Sequence, residues 1–203
     1  MSTAAQIMKK KAAIKEEAGR YLTPEQNSRM WSQATERLES IMKKYENIPA
    51  GVHQHTDEYI FPSAAIYFTA KEYMDADKAY SLIENTAIRK TESIGRMLGG
   101  FMKIPFMRSV FVGMWDSMTK KNFGSESGFR NRFYENKKGE YRMDILECPY
   151  CRYFTELGCP ELTKIFCEND ERSYGNLPGL EFIRKTTLGK GGDRCDFYIR
   201  RTK

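Results

Sequence analysis

The sequence predicts an α+β fold: N-terminal helices followed by a small antiparallel sheet of two hairpins with a helical insertion. Three observations predict it. Up to Met118 the chain carries capping residues and apolar side chains at helical spacing. From Gly128 apolar and polar residues alternate on both sides of two turn-rich segments. Between those segments two proline-led stretches return to helical character.

Taken in order, a first helix is expected from about Ala4 to Arg20, with a weak apolar face and loose packing; residues 1–22 form a helical extension and 23–203 a single domain. The next helix has a strong start, since Thr23 can cap, Pro24 suits the first position and Gln26 completes a capping box. It should run to about Tyr45, with Trp31, Ala34, Leu38, Ile41, Met42 and Tyr45 on one inward face. After an extended stretch bearing His53 and His55, a helix is expected from about Pro62 to Tyr73. A longer one, capped by Asp75 or Asp77, should turn Ala79, Leu82, Ile83, Thr86 and Ala87 inward and stop by Gly99-Gly100. Phe101 to Met118 reads as one or two short helices, being interrupted by Pro105 and Gly113.

The first hairpin pairs Phe129–Glu135 with Tyr141–Glu147, and the second pairs Glu181–Leu188 with Arg194–Arg201 across Gly189-Lys190-Gly191-Gly192. Cys195, Phe197 and Ile199 share one strand face, Asp196 and Tyr198 the other. The insertion consists of helices at about Pro149–Leu157 and Pro160–Asn169.

Composition bounds the function. At 203 residues, with 40% hydrophobic residues, 12 Phe and 12 Tyr, the chain has the apolar mass for a packed core, which excludes disorder. It lacks a membrane-spanning apolar run and a signal-peptide core, so a cytoplasmic address and no membrane partner are expected. The net charge of +6 favours a small anionic ligand. Nucleic acid is not expected, because the basic residues come in short pairs separated by acids rather than as a stripe. Nucleotide-binding glycine loops and the common hydrolase motifs are absent.

Chemistry concentrates in the cysteines, all five of which lie between Cys148 and Cys195. Three readings compete. Cys148-Pro149-Tyr150-Cys151 is a C-x2-C knuckle of the kind that holds zinc, although the later spacings match no common ladder. A thiolate at a helix start, as at Cys148, is reactive. Free cysteine also serves as a small buried hydrophobe. Cys167 with Asp170, and Asp193 with Cys195 and Asp196, place thiols beside carboxylates at element ends, where the carboxylates could equally be turn formers. His53 and His55, at i, i+2 on an extended stretch, would share a face and could act as base or ligand, or be solvated loop residues. The Met-rich Phe101–Met118 segment could fill core or present an apolar patch and a homodimer contact.

Several segments together resemble the L-2-amino-thiazoline-4-carboxylic acid hydrolase family: Ile60-Phe61-Pro62-Ser63-Ala64-Ala65-Ile66-Tyr67; Phe123-Gly124 with Gly128-Phe129; Cys148-Pro149-Tyr150; Gly158-Cys159-Pro160-Glu161-Leu162; Phe166-Cys167 with Asp170; Thr186-Thr187-Leu188-Gly189; and Gly191-Gly192-Asp193-Arg194-Cys195-Asp196-Phe197. The likeness spans about residues 55–199. It implies a bacterial-type hydrolase of cysteine metabolism that opens a cyclic amidine by adding water at the ring carbon, giving an N-carbamoyl amino acid. On that reading Cys167 or Cys195 is nucleophile or metal-holding thiolate, Asp170 and Asp196 transfer protons or orient, Arg184 or Arg194 holds the substrate carboxylate, and Asp193 also binds the substrate. Zinc held by Cys148, Cys167 and Cys195 and activating water is the mechanistic variant. The order of helices and sheet is also similar to ligand-binding domains of the vinyl-reductase type, which sense a small molecule without converting it.

Overall fold

The computed structural model describes residues 2–202; the outermost residues of the two expected spans, Met1 and Lys203, lie outside them. Two short helices, α1 (Ala4–Lys9) and α2 (Ala12–Ala18), precede the long α3 (Pro24–Lys44). A turn of 3-10 helix at Ala50–Val52 runs into α4 (His53–His55), a π-helical stretch at Thr56–Ile60 and α5 (Phe61–Ala70). Helices α6 (Ala76–Met102) and α7 (Pro105–Asn122) lead to the strands β1 (Arg130–Phe133) and β2 (Glu140–Glu147). Helices α8 (Pro149–Leu157) and α9 (Leu162–Tyr174) separate these from β3 (Leu180–Ile183) and β4 (Cys195–Arg201). The α+β expectation holds, with the insertion where the sequence put it.

The N-terminal helices pack tightly, against expectation. Ile7, Met8, Ile14 and Ala18 are buried in the same core as Met30, Ala34 and Leu38 of α3, Phe61 and Ile66 of α5, and Phe154 of α8. Two polar ties hold them. Glu17, 2% exposed, accepts from Arg89 at 2.9 Å and from Asn85 at 3.2 Å. Pro62 has no N–H to offer the carbonyl one helical turn earlier, and that carbonyl, of Glu58, accepts from the Lys11 ammonium instead. Burial lowers the Lys11 pKa to about 8, against the attraction of Glu58. Thr23 makes the expected capping box with Gln26.

Gly99 and Gly100 do not stop α6, and Gly113 does not divide α7. Each interior glycine costs about 1 kcal/mol, which the burial of Met102, Val112 and Trp115 offsets. The same two helices leave Met97, Phe101, Phe106, Val110 and Met114 exposed, as is Ile104 at the cap between them.

The antiparallel sheet has the order β1-β2-β4-β3, so the two hairpins join through their second strands. The register sets Tyr141 opposite Ile199, Met143 opposite Phe197 and Ile145 opposite Cys195, all on the face covered by Val112 and Trp115 of α7. The second hairpin is shorter than expected. β3 ends at Ile183 because the carboxylate of Asp196 takes the N–H groups of Lys185 and Thr186, at 3.0 and 2.7 Å, in place of the ladder. Residues 184–194 form a loop with a 3-10 turn at Leu188–Lys190, closed by Gly191 at φ +83°.

Candidate active site

Helix α9 runs five residues past its expected end, so Cys167 and Asp170 sit inside it rather than closing it. Three residues apart, they share one helix face. Arg184, the first residue beyond β3, spans both: its Nη1 donates to the Cys167 carbonyl at 2.6 Å and its Nη2 to Asp170 Oδ2 at 2.8 Å. The guanidinium lies 4.2 Å from the centre of the Phe197 ring. A cation only 5% exposed needs such a set of partners, since burying it unpaired costs several kcal/mol. Burial raises the Asp170 carboxyl pKa, with Arg184 opposing.

Cys195 opens β4 on the inward face, where its sulfur accepts the Leu188 N–H at 3.2 Å. Its S–H donates to Cys167, which is the largest influence holding Cys167 down to about 6; the Gly189 N–H, the Arg184 charge and the Thr187 hydroxyl add to it, and burial opposes. The same bond, with burial, pushes Cys195 far up. The pair is thus polarised, Cys167 toward the thiolate and Cys195 toward the thiol. Residue 189 must be glycine for this approach, because a Cβ there would stand 2.7 Å from the Cys167 sulfur. Arg184 Nε is buried without a hydrogen-bond partner.

The start of α8 adjoins the pair. Cys148 occupies the cap position with Pro149 first in the helix, as expected. The Cys148 thiol donates to Cys151, raising its own pKa and lowering that of Cys151; Cys195 lies near the first sulfur and Cys167 near the second. Between them the Tyr150 hydroxyl, raised by burial, reaches His55 Nδ1 at 3.1 Å, while His55 Nε2 contacts the Asn122 carbonyl at 2.8 Å. A carbonyl only accepts, so Nε2 carries the proton and Nδ1 accepts from the tyrosine. Burial lowers the His55 pKa, consistent with a neutral ring.

The histidine expectation is thus corrected. Residues 50–60 are helical, not extended, so residues two apart point to different sides. His55 is 5% exposed among Phe123, Phe129 and Tyr150, and His53 pairs with Asp57 at 3.2 Å. Neither is a solvated loop residue.

Of the candidate residues, the structure brings together Cys167, Cys195, Asp170 and Arg184. Asp193, Arg194 and Asp196 are not brought to them. Asp196 is committed to loop N–H groups on the outer sheet face. Arg194 pairs with exposed Asp193 at 2.8 Å and with Asp144 at 3.5 Å. Cys159 is buried in the helical core, where burial pushes its thiol up to about 12. Among the described residues no three side chains of His, Cys, Asp or Glu stand so as to hold a metal ion, so the proposed zinc ligands Cys148, Cys167 and Cys195 do not fit that group. A cleft of about 540 Å³ between α7 and the β1–β2 turn, lined by Asp116, Lys120, Lys137 and Arg201, lies apart from the thiols.

Thr187, Gly189 and Tyr150 carry no candidate role in the sequence, and His55, a candidate base or ligand there, serves instead as a buried hydrogen-bonding link. The sequence places Gly189 in a hairpin turn, and its contact with Cys167 crosses from loop to helix, which no local spacing encodes.

The family model described as L-2-amino-thiazoline-4-carboxylic acid hydrolase matches residues 53–199. No curated protein matches, and no solved structure matches. No helix among the described residues is long and apolar enough to cross a membrane.

Proposed function

Because the chain belongs to the L-2-amino-thiazoline-4-carboxylic acid hydrolase family, we propose that it hydrolyses a cyclic amidine of the thiazoline carboxylate type, with Cys167 as nucleophile. The observation that carries this reading is the convergence on Cys167 of Arg184, which bonds its carbonyl and Asp170 together, of Gly189, where a Cβ would stand 2.7 Å from its sulfur, and of Cys195, whose thiol holds its pKa down. The raised Asp170 carboxyl supplies a proton to the ring nitrogen, which makes the amidine carbon electrophilic. Cys167 adds to that carbon, the carbon's bond to the ring sulfur breaks, and the departing sulfur takes the Cys195 proton. Water then adds to the same carbon and expels the Cys167 thiolate. The two protons this water gives up restore the Asp170 acid and the Cys195 thiol, and the product is an N-carbamoyl amino acid with a free thiol. Arg184 Nε, without a partner, is the donor we assign to the substrate carboxylate.

A non-catalytic sensor needs no activated thiolate, and the gathering of four ionisable groups favours the enzyme. The test is release of a free thiol from 2-amino-thiazoline-4-carboxylate. Cys167→Ser and Cys195→Ser should each remove turnover while the circular dichroism spectrum stays native; a fully active Cys167→Ser variant removes the nucleophile assignment. As part of the same proposal, the exposed apolar residues of α6 and α7 pair with a second copy. Ion pairs of both signs, Glu92–Arg96 and Asp116–Lys120, lie on these helices and suit a self-complementary contact.

A further inference from the structure

The ring-opening reading leaves Cys148 and Cys151 without a task, although both stand beside its two thiols. Cys148 occupies the cap of α8 in an extended conformation, φ −133° and ψ 127°, and makes no cap hydrogen bond. Cys151 is the third helical residue. Side chains in a helix lean toward its N-terminus, so the Cys151 sulfur is carried back over the first turn toward the cap, the approach that brings the two partners of a capping box together. Cα atoms so placed fall in the range of about 4.4–6.8 Å that a disulfide needs. Cys148 and Cys151 are partly exposed, as is Cys167, whereas Cys159 and Cys195 are buried.

We propose that Cys148 and Cys151 form a reversible dithiol–disulfide couple, oxidised by exchange with a small disulfide such as oxidised glutathione. The Cys151 sulfur attacks one sulfur of the incoming disulfide and releases its other half, which takes up a proton as a thiol. Cys148 loses its proton, attacks the Cys151 sulfur of the mixed disulfide and expels the second half as a thiol. Two electrons pass from the cysteine pair to the reagent, one sulfur–sulfur bond forms and one breaks. The polarity is that of the free pair, in which the Cys148 thiol donates to a Cys151 sulfur favoured as thiolate.

Trypsin makes the test direct. Cleavage after Arg142 and Arg152 isolates Cys148 and Cys151 in one peptide, while Cys159, Cys167 and Cys195 fall in three others. The native chain is equilibrated with mixtures of reduced and oxidised glutathione, quenched in acid, alkylated and digested. The expected result is a 143–152 peptide that escapes alkylation and is lighter by two hydrogens, reverts with dithiothreitol, and forms at an oxidised fraction about tenfold lower than in the urea-unfolded chain. In Cys148→Ser the mixed disulfide should stay on Cys151. Oxidation that instead links Cys167 to Cys195 or to Cys151, or a 143–152 peptide no more readily oxidised than when unfolded, overturns the proposal. Cys167→Ser separates it from the ring-opening reading: that variant should lose turnover and still close the couple, so either result can fail alone.

Discussion

The Cys195 thiol, with the Gly189 N–H and the Arg184 charge, holds Cys167 down to about 6, well below an ordinary cysteine, and its reactivity should follow. Below that pH it is a thiol and inert; above it the thiolate is present. Iodoacetamide labelling of the 165–172 peptide should therefore rise with a midpoint near pH 6, and the acid limb of turnover should fall in the same range. Thr187→Val removes one of the supporting groups and should move both midpoints upward together; a shift in neither separates the hydroxyl from the sulfur. Arg184→Lys keeps the charge but loses the fork that reaches Asp170 and the Cys167 carbonyl at once. Turnover should drop on the order of a hundredfold, with circular dichroism unchanged.

At the scale of elements, the start of α8 is fixed by one hydrogen-bonded chain: Tyr150 to His55 to the Asn122 carbonyl at the end of α7. Tyr150→Phe leaves the buried His55 Nδ1 without a donor and should cost about 1–3 kcal/mol, read from the urea midpoint. The tie between α2 and the π-helical stretch makes a parallel case. Lys11→Met leaves the Glu58 carbonyl without the partner that Pro62 already denied it, again a loss of about 1–3 kcal/mol. In both variants the slope of the urea transition should be unchanged, because the whole chain still unfolds together. The reading of elements from the sequence was best where local chemistry decides. Thr23, Pro24 and Gln26 began α3 where a capping box predicts, and Pro149 began α8. It was weakest where packing overrides propensity: through the glycines of α6 and α7, and at β3, which Asp196 cuts short by taking the ladder's N–H groups.

Over the whole molecule, the helical core and the sheet core meet at α8: Tyr150 packs on both clusters, and the candidate site lies beside it. The unburied apolar face of α6 and α7 is the feature most open to test. Sedimentation should give twice the chain mass at micromolar concentration, and Phe106→Glu, placing a charge on the most exposed of these residues, should return it to a monomer with turnover intact. A native chain that sediments as a monomer removes the dimer.

The sequence by itself determined the class of fold, the helix starts, the hairpins and the residue types able to do chemistry, because caps, proline positions and the periods of helix and strand act within a few residues. It singled out Cys167, Asp170, Arg184 and Cys195, yet grouped them with Asp193, Arg194 and Asp196. Only the tertiary structure parted the two sets, and the reason is geometric. Adjacent strand residues point to opposite faces, and which face meets α9 depends on where β4 docks. The same docking brings Gly189 against Cys167, and it is long-range contact of this kind, more than residue type, that makes an acidic thiol out of an ordinary one.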